Sequence, residues 1–302
     1  MQAGYVIVTA AYNEADHLAA TVASVVRQTL PPARWVIVDD GSTDETPTLL
    51  SAWAWQYPFL LSLRRERDRT QSYFASNVHA LMAGVRHLAH ERYEFLAVLD
   101  ADITLPDDYY EQILARFKAD PKLGVASGIY ENLVAGRLER VLHDRRSASK
   151  AIQVFRRECF EALGGYVPLP HGGEDTCACI MARMNGWKSW SFPELKAVHH
   201  RPTGVGNAGG LLRARFLQGL GEWGLSTHPV FMVAKSLRRC ALERPRIVGG
   251  VLRLSGYAYG CLRREPRWMP PAAARYVRRE QLGRLFCFNR IPRRHRHAAQ
   301  MP

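Results

Sequence analysis

Three acidic clusters and a histidine pair carry the residue types that could do chemistry. Asp100-Ala101-Asp102 directly follows five apolar residues, Phe95 to Leu99, so its alternate carboxylates share one side of a strand end. Such a pair can present oxygens to a hard cation such as Mg²⁺ or Mn²⁺, and it can equally be a solvated turn. Gly172-Gly173-Glu174-Asp175 leads into a helical segment from Thr176 to Asn185. A carboxylate on that glycine-flexed loop fits a general base. It also fits a helix start, with Asp175 as cap and Glu174 countering the dipole. Asp39-Asp40-Gly41-Ser42-Thr43-Asp44 reads on its own as an Asp-Gly turn followed by a capped helix. His199-His200 follows a strand-like stretch from Phe192 to Val198. Adjacent strand residues point to opposite faces, so at most one of the two rings reaches a given metal.

The elements that must position these groups are legible as periodic apolar runs. Tyr5 to Ala10, Trp35 to Val38 and Phe95 to Leu99 are short continuous runs, and the first precedes helical spacing at Leu18, Val22, Val25 and Val26. Strands of that kind alternating with helices predict parallel β-α-β units covered on both faces. In an open α/β sheet, ligands sit outside the carboxyl ends of the strands, which is where the acidic clusters fall. After about residue 200 the pattern turns helical, broken by Pro229, Pro245, Pro266 and Pro270-Pro271. A boundary near residue 215 is expected, dividing the chain into 1–215 and a basic, mainly helical 216–302.

With 47% hydrophobic and 23% charged positions in 302 residues, the composition excludes disorder, collagen and coiled coil. The net charge of +13 is uneven: residues 1–200 hold 21 Lys/Arg against 24 Asp/Glu, a net of −3, and residues 201–302 hold 20 against 4, a net of +16. Six cysteines without a C-x-x-C pair read as free thiols in a reducing compartment. The first residues show no basic n-region or cleavage-like segment, so export is not expected. The longest mostly apolar stretch, Ile247 to Leu262, contains Arg253 and falls short of the roughly 20 residues of a spanning helix.

Taken in order, Tyr12-Asn13-Glu14, Asp39 to Asp44, Asp100-Ala101-Asp102, Gly173-Glu174-Asp175 and His199 closely resemble the family 2 glycosyltransferases, over about residues 4 to 205. The resemblance implies the GT-A fold, a Rossmann-like mixed sheet flanked by helices. It also implies an inverting transfer from a nucleoside-diphosphate sugar in bacterial envelope, exopolysaccharide or glycolipid assembly. By motif position, Ala10, Tyr12, Glu14 and Asp40 would surround the base and ribose, with Asp39 adjacent. Asp100 would be the ribose or metal-water partner, Asp102 the direct ligand of Mn²⁺ or Mg²⁺, and His199 or its neighbour His200 a further metal-side group. Glu174 and Asp175 map to the family's Glu-Asp pair, with Asp175 as base. Relatives often carry an Ala-Arg-Asn-like helix start near the donor; this chain has Ala75-Ser76-Asn77, which leaves Arg69 as the candidate for the diphosphate.

The chemistry agrees with that division of labour. A departing diphosphate is stabilised by a divalent cation, and an acceptor hydroxyl needs a carboxylate to take its proton. A single displacement through an oxocarbenium-like transition state inverts the anomeric carbon. The basic last third has no zinc-finger or aromatic RNA-binding signature, so nucleic acid is not expected. Its arginines flank apolar segments containing Met232, Val248 and Tyr257, which fits peripheral docking on the anionic inner face of the cell membrane and a saccharide or lipid-linked acceptor. Without the Gln-x-x-Arg-Trp motif or channel segments, transfer of one sugar is expected rather than polymerisation. A sugar nucleotidyltransferase and a non-catalytic basic adaptor are the alternatives, and the first lacks its glycine-rich phosphate loop after the first strand.

Overall fold

The computed structural model describes residues 4–201 and 210–286; Cys287 and the arginine run near residue 295 lie outside them. Through the first half, strands and helices alternate: β1 (Gly4–Ala11), α1 (Ala15–Val26), β2 (Arg34–Asp39), α2 (Thr46–Gln56), β3 (Leu60–Arg64), α3 (Tyr73–His87) and β4 (Tyr93–Leu99). β1 pairs in parallel with β2 on one side and β4 on the other, and β2 pairs with β3. The apolar runs are continuous because both faces of these strands are covered. Tyr5, Ile7, Trp35 and Ile37 are buried on one face, and Val6, Val8, Val36 and Val38 on the other. Trp35 is accommodated in the core because its indole N–H donates to Thr9 Oγ1 at 3.0 Å.

The second half adds β5 (Ile103–Thr104), α4 (Tyr109–Ala119), β6 (Leu123–Val134), β7 (Arg137–Arg140), β8 (Ile152–Arg156), α5 (Arg157–Leu163), α6 (Glu174–Met184) and β9 (Lys188–His199). β8 is antiparallel to both β4 and β6, while β6 and β9 run parallel, so the sheet is mixed in the order β3-β2-β1-β4-β8-β6-β9-β5. The chain steps outward from β1 to β3, and α3 returns it to the other side of β1 at β4. That reversal opens a crevice at the carboxyl ends of β1, β2 and β4, where three of the polar clusters lie. The structure therefore has the mixed, helix-flanked GT-A architecture expected from the sequence.

Four helices follow: α7 (Leu211–Gly224), α8 (Pro229–Leu242), α9 (Val248–Leu262) and α10 (Pro271–Phe286). The expected boundary near residue 215 falls inside α7. α7 and α9 cross backbone to backbone, because Gly219 and Gly256 leave no room for a Cβ against the Arg253 and Phe216 carbonyls. α10 seats on α6 through Cys177, Ile180, Ala273 and Val277, and the Arg183 guanidinium grips the Glu280 carboxylate with two hydrogen bonds of 2.8 Å. Cys177 joins this cluster and Cys179 the sheet-side core, so the two thiols diverge, and burial pushes each up to about 12. Among the described residues no helix is long and apolar enough to cross a membrane.

Candidate functional site

At the ends of β1 and β2 a buried carboxylate and an aromatic ring are joined by one arginine. Asp40 accepts from Ser76 Oγ at 2.7 Å and from Arg67 at 2.9 Å, with Arg65 at 3.2 Å. The Arg67 guanidinium lies 4.0 Å over the Tyr12 ring and 5.3 Å from Tyr73. Arg65 and Arg67 reach this corner, whereas Arg69 is exposed on the loop. Asp39 accepts from the Ser42 N–H at 2.8 Å and so shapes the turn beneath Asp40. Ala10 is buried in β1, and Glu14 stands buried just ahead of α1.

Asp102 is buried beside the end of β9. The pairing of Ile103 with His199 brings the His199 Nε2 to 3.2 Å from Asp102 Oδ2, and the His200 N–H donates to the Asp102 carbonyl at 2.9 Å. His200 itself turns to the other face, where its ring meets Thr104 Oγ1 at 2.6 Å and stacks on His17. This is the alternation expected of neighbouring strand residues. Arg201 bridges Asp102, at 2.8 Å, and Glu14. Burial alone would raise the Asp102 carboxyl, but the His199 and Arg201 contacts outweigh it and hold the group well below the usual range. Glu14 goes the other way: burial pushes it up to about 7 against the pull of Arg201. Asp102 Oδ2 and His199 Nε2 bring one carboxylate oxygen and one imidazole nitrogen together, both of them donors that suit a divalent cation, and among the described residues no third His, Cys, Asp or Glu joins them as a ligand set.

The third cluster is set by two consecutive left-handed glycines. Gly172 and Gly173 have φ of +77° and +96°, which turns the chain into α6 with Glu174 buried and Asp175 half-buried at the helix start. Asp175 Oδ1 accepts its neighbour's N–H at 2.6 Å, and Oδ2 accepts the Lys150 N–H at 3.3 Å. Burial raises Glu174 above the usual range, opposed by Lys150.

Lys150 joins the clusters, and nothing in the sequence marked it. Its ammonium donates to Asn77 Oδ1 at 2.9 Å and Asp100 Oδ1 at 3.0 Å, and lies 3.8 Å from Glu174 Oε1. Burial works against its charge, but Asp100 and Glu174 prevail and keep it protonated. A lone lysine just before a strand has no periodic or motif signal, whereas Arg67 and Arg201 at least stood in visibly basic or histidine-rich segments.

The model of the family described as Glycosyl transferase family 2 matches residues 6–185, which spans all of these clusters except His199 and Arg201. Among curated proteins, poly-beta-1,6-N-acetyl-D-glucosamine synthase of Staphylococcus epidermidis is 29% identical over 126 residues. The synthase of Staphylococcus aureus strain COL is 27% identical over 126 residues. The aligned segment is 41% of this chain and 28% of either synthase, so the chain matches less than a third of those relatives' length. Among solved structures, the mannosyltransferase PcManGT from Pyrobaculum calidifontis, in complex with GDP-Man and Mn²⁺, superposes with a TM-score of 0.57 at 20% identity, over 94% of this chain and 81% of that one. S. aureus TarS 1-349 in complex with UDP-GlcNAc gives 0.54 at 15% identity, over 72% of this chain and 65% of that one.

Proposed function

The chain belongs to glycosyl transferase family 2, and we propose that it is a glycosyltransferase that moves one sugar with inversion from a nucleoside diphosphate to an acceptor hydroxyl with a divalent cation bound. The observation that carries this reading is the state of four carboxylates at one sheet edge. Asp102 faces Arg201 and His199, Asp100 and Glu174 face Lys150, and among the described residues Asp175 alone of the four is met by backbone N–H groups rather than a cationic side chain. Asp175 is thus the one best able to take a proton from an acceptor hydroxyl. Tyr12, Arg67 and Asp40 offer a flat face, a cation and a hydrogen-bond acceptor to a nucleobase and ribose. Asp102 and His199 would hold Mn²⁺ or Mg²⁺, which supplies Lewis-acid charge for the leaving diphosphate. Arg201 is one-third exposed and can yield its hold on Asp102.

The experiment is a thermal-melt screen with UDP, GDP, CDP and TDP and their sugar conjugates, with and without Mn²⁺. A nucleotide at a hundred times its Kd stabilises the fold by about 2.7 kcal/mol, and the expected result is an Mn²⁺-dependent rise with one base. Silence across the panel would defeat the donor assignment.

We propose that the C-terminal helices dock on anionic membrane at its cytoplasmic face, with a saccharide or lipid-linked acceptor. Met232 and Tyr257 do not serve that purpose, because both are buried in the helix packing. The outward apolar surface is instead Leu237, Leu242, Ile247, Val248, Val251 and Leu262 on α8, α9 and the turn between them. Exposed Arg238, Arg244 and Arg246 stand among them, so the face pairs apolar side chains with positive charge, as an anionic interface requires. The protein is expected to sediment with phosphatidylglycerol-containing vesicles and not with phosphatidylcholine alone, to be released by high salt, and to lose binding in Leu237→Asp/Ile247→Asp. Equal recovery from both vesicle types would rule the surface out.

A further inference from the structure

Lys150 is one residue with two attachments to the site, and they leave in different directions. Its side chain reaches across to Asn77 on α3, to Asp100 at the end of β4 and to Glu174 at the start of α6, at 2.9, 3.0 and 3.8 Å. Its own N–H meets Asp175 Oδ2 at 3.3 Å. The lysine sits two residues before β8, which is hydrogen-bonded to β4, so its backbone is anchored to the strand that ends in Asp100. The Asp100 N–H donates to the Ala151 carbonyl at 3.0 Å, which fixes the two segments to each other at the site itself.

Three acidic side chains come together here, and mutual repulsion would drive them apart without a cation among them. The Lys150 side chain is only 17% exposed, and its ammonium stands between Asp100 and Glu174, the donor-side and acceptor-side carboxylates. Methionine would keep the length of the chain and lose the cation. Arginine would keep the cation with a different reach.

We propose that Lys150 is a positioning residue for the transfer reaction, holding Asp175 at a fixed distance from the donor-side carboxylate through its N–H on one side and its ammonium on the other. This rests on the reading of Asp175 as the base. The lysine acts on the geometry between the two halves of the site, so its loss falls on turnover and not on the grip on the nucleotide. Misplacement of a reacting group by about 1 Å can cost about a hundredfold in rate, which sets the size of the effect.

The test compares wild type with Lys150→Met, Lys150→Arg and Asn77→Ala, measuring kcat, donor KM and the Kd for the nucleoside diphosphate. Lys150→Met is expected to lower kcat about a hundredfold with Kd within about threefold of wild type, and Lys150→Arg to recover about a tenth of the lost rate or more. Asn77→Ala removes one tether and leaves both ion pairs, so it keeps the fold if Lys150→Met does not; a kcat loss of about fivefold at unchanged Kd is expected. Wild-type kcat in both Lys150→Met and Asn77→Ala overturns the inference. So does a loss confined to nucleotide Kd, which would make Lys150 a donor ligand. If Asp175→Asn keeps full turnover, the assignment of the base fails and takes this inference with it; if Asp175→Asn loses turnover and Lys150→Met does not, the inference alone fails.

Discussion

Asp175→Asn is expected to lower kcat by about a thousandfold or more while leaving nucleotide-sugar binding within about threefold, since a positioned general base contributes about 10²–10⁴ in rate. Asparagine has nearly the same shape and keeps one oxygen for the Thr176 N–H that now bonds Oδ1, losing only the longer 3.3 Å contact from the Lys150 N–H to Oδ2. Folding and the helix start should therefore survive, and a thermal melt should show it. The amide cannot accept the acceptor hydroxyl's proton at neutral pH, so only the chemical step suffers. Glu174, one residue earlier, cannot substitute, because it is 3% exposed and faces Lys150. The measurement is steady-state transfer alongside nucleotide titration. Turnover within about tenfold of wild type would mean that another group takes the proton.

Asp102→Asn carries the second large effect, on donor binding and on kcat/KM together. The buried carboxylate has its Oδ2 directed at both His199 and Arg201, so removing the charge while keeping the shape isolates the electrostatic contribution. A cation that neutralises the diphosphate loses its anionic ligand in this variant, and kcat/KM should fall by about a thousandfold, roughly 4 kcal/mol of transition-state stabilisation. The Mn²⁺-dependent part of the nucleotide thermal shift should vanish, and any metal-free shift should persist. Chelation of wild type with EDTA should reproduce the same loss and Mn²⁺ should restore it. If the variant keeps the full Mn²⁺-dependent shift, Asp102 is not the ligand. If wild type transfers sugar equally well in EDTA, no divalent cation takes part in the transfer.

The large features of the fold were legible in the chain because they rest on local periodicity. Continuous apolar runs such as Tyr5 to Ala10 and Trp35 to Val38 can be buried only as strands covered on both faces, and parallel strands necessarily bring their carboxyl ends to one edge. The placement of Asp40, Asp100 and Asp102 at that edge followed from this, since each lies within three residues of the end of such a run. The alternation of His199 and His200 was also a local consequence, yet which face met Asp102 was decided by the pairing of β5 with β9. Tertiary structure alone decided which arginines of the loop meet Asp40, because an aperiodic loop of arginines contains no register; Arg65 and Arg67 do, and Arg67 also covers the Tyr12 ring.

The same holds for the residues that join separate elements. Lys150 reaches Asn77, 73 positions earlier, and Arg201 reaches Glu14, 187 positions earlier. Long flexible side chains make such contacts only where the backbone has already brought distant segments together, so no spacing in the sequence encodes them. The basic character of the last third was plain from its composition, but helix packing decided which apolar residues it keeps for itself. Met232 and Tyr257 went into the packing, and Leu237, Ile247 and Val251 were left facing outward, because a helix face is buried or exposed according to the neighbours it meets.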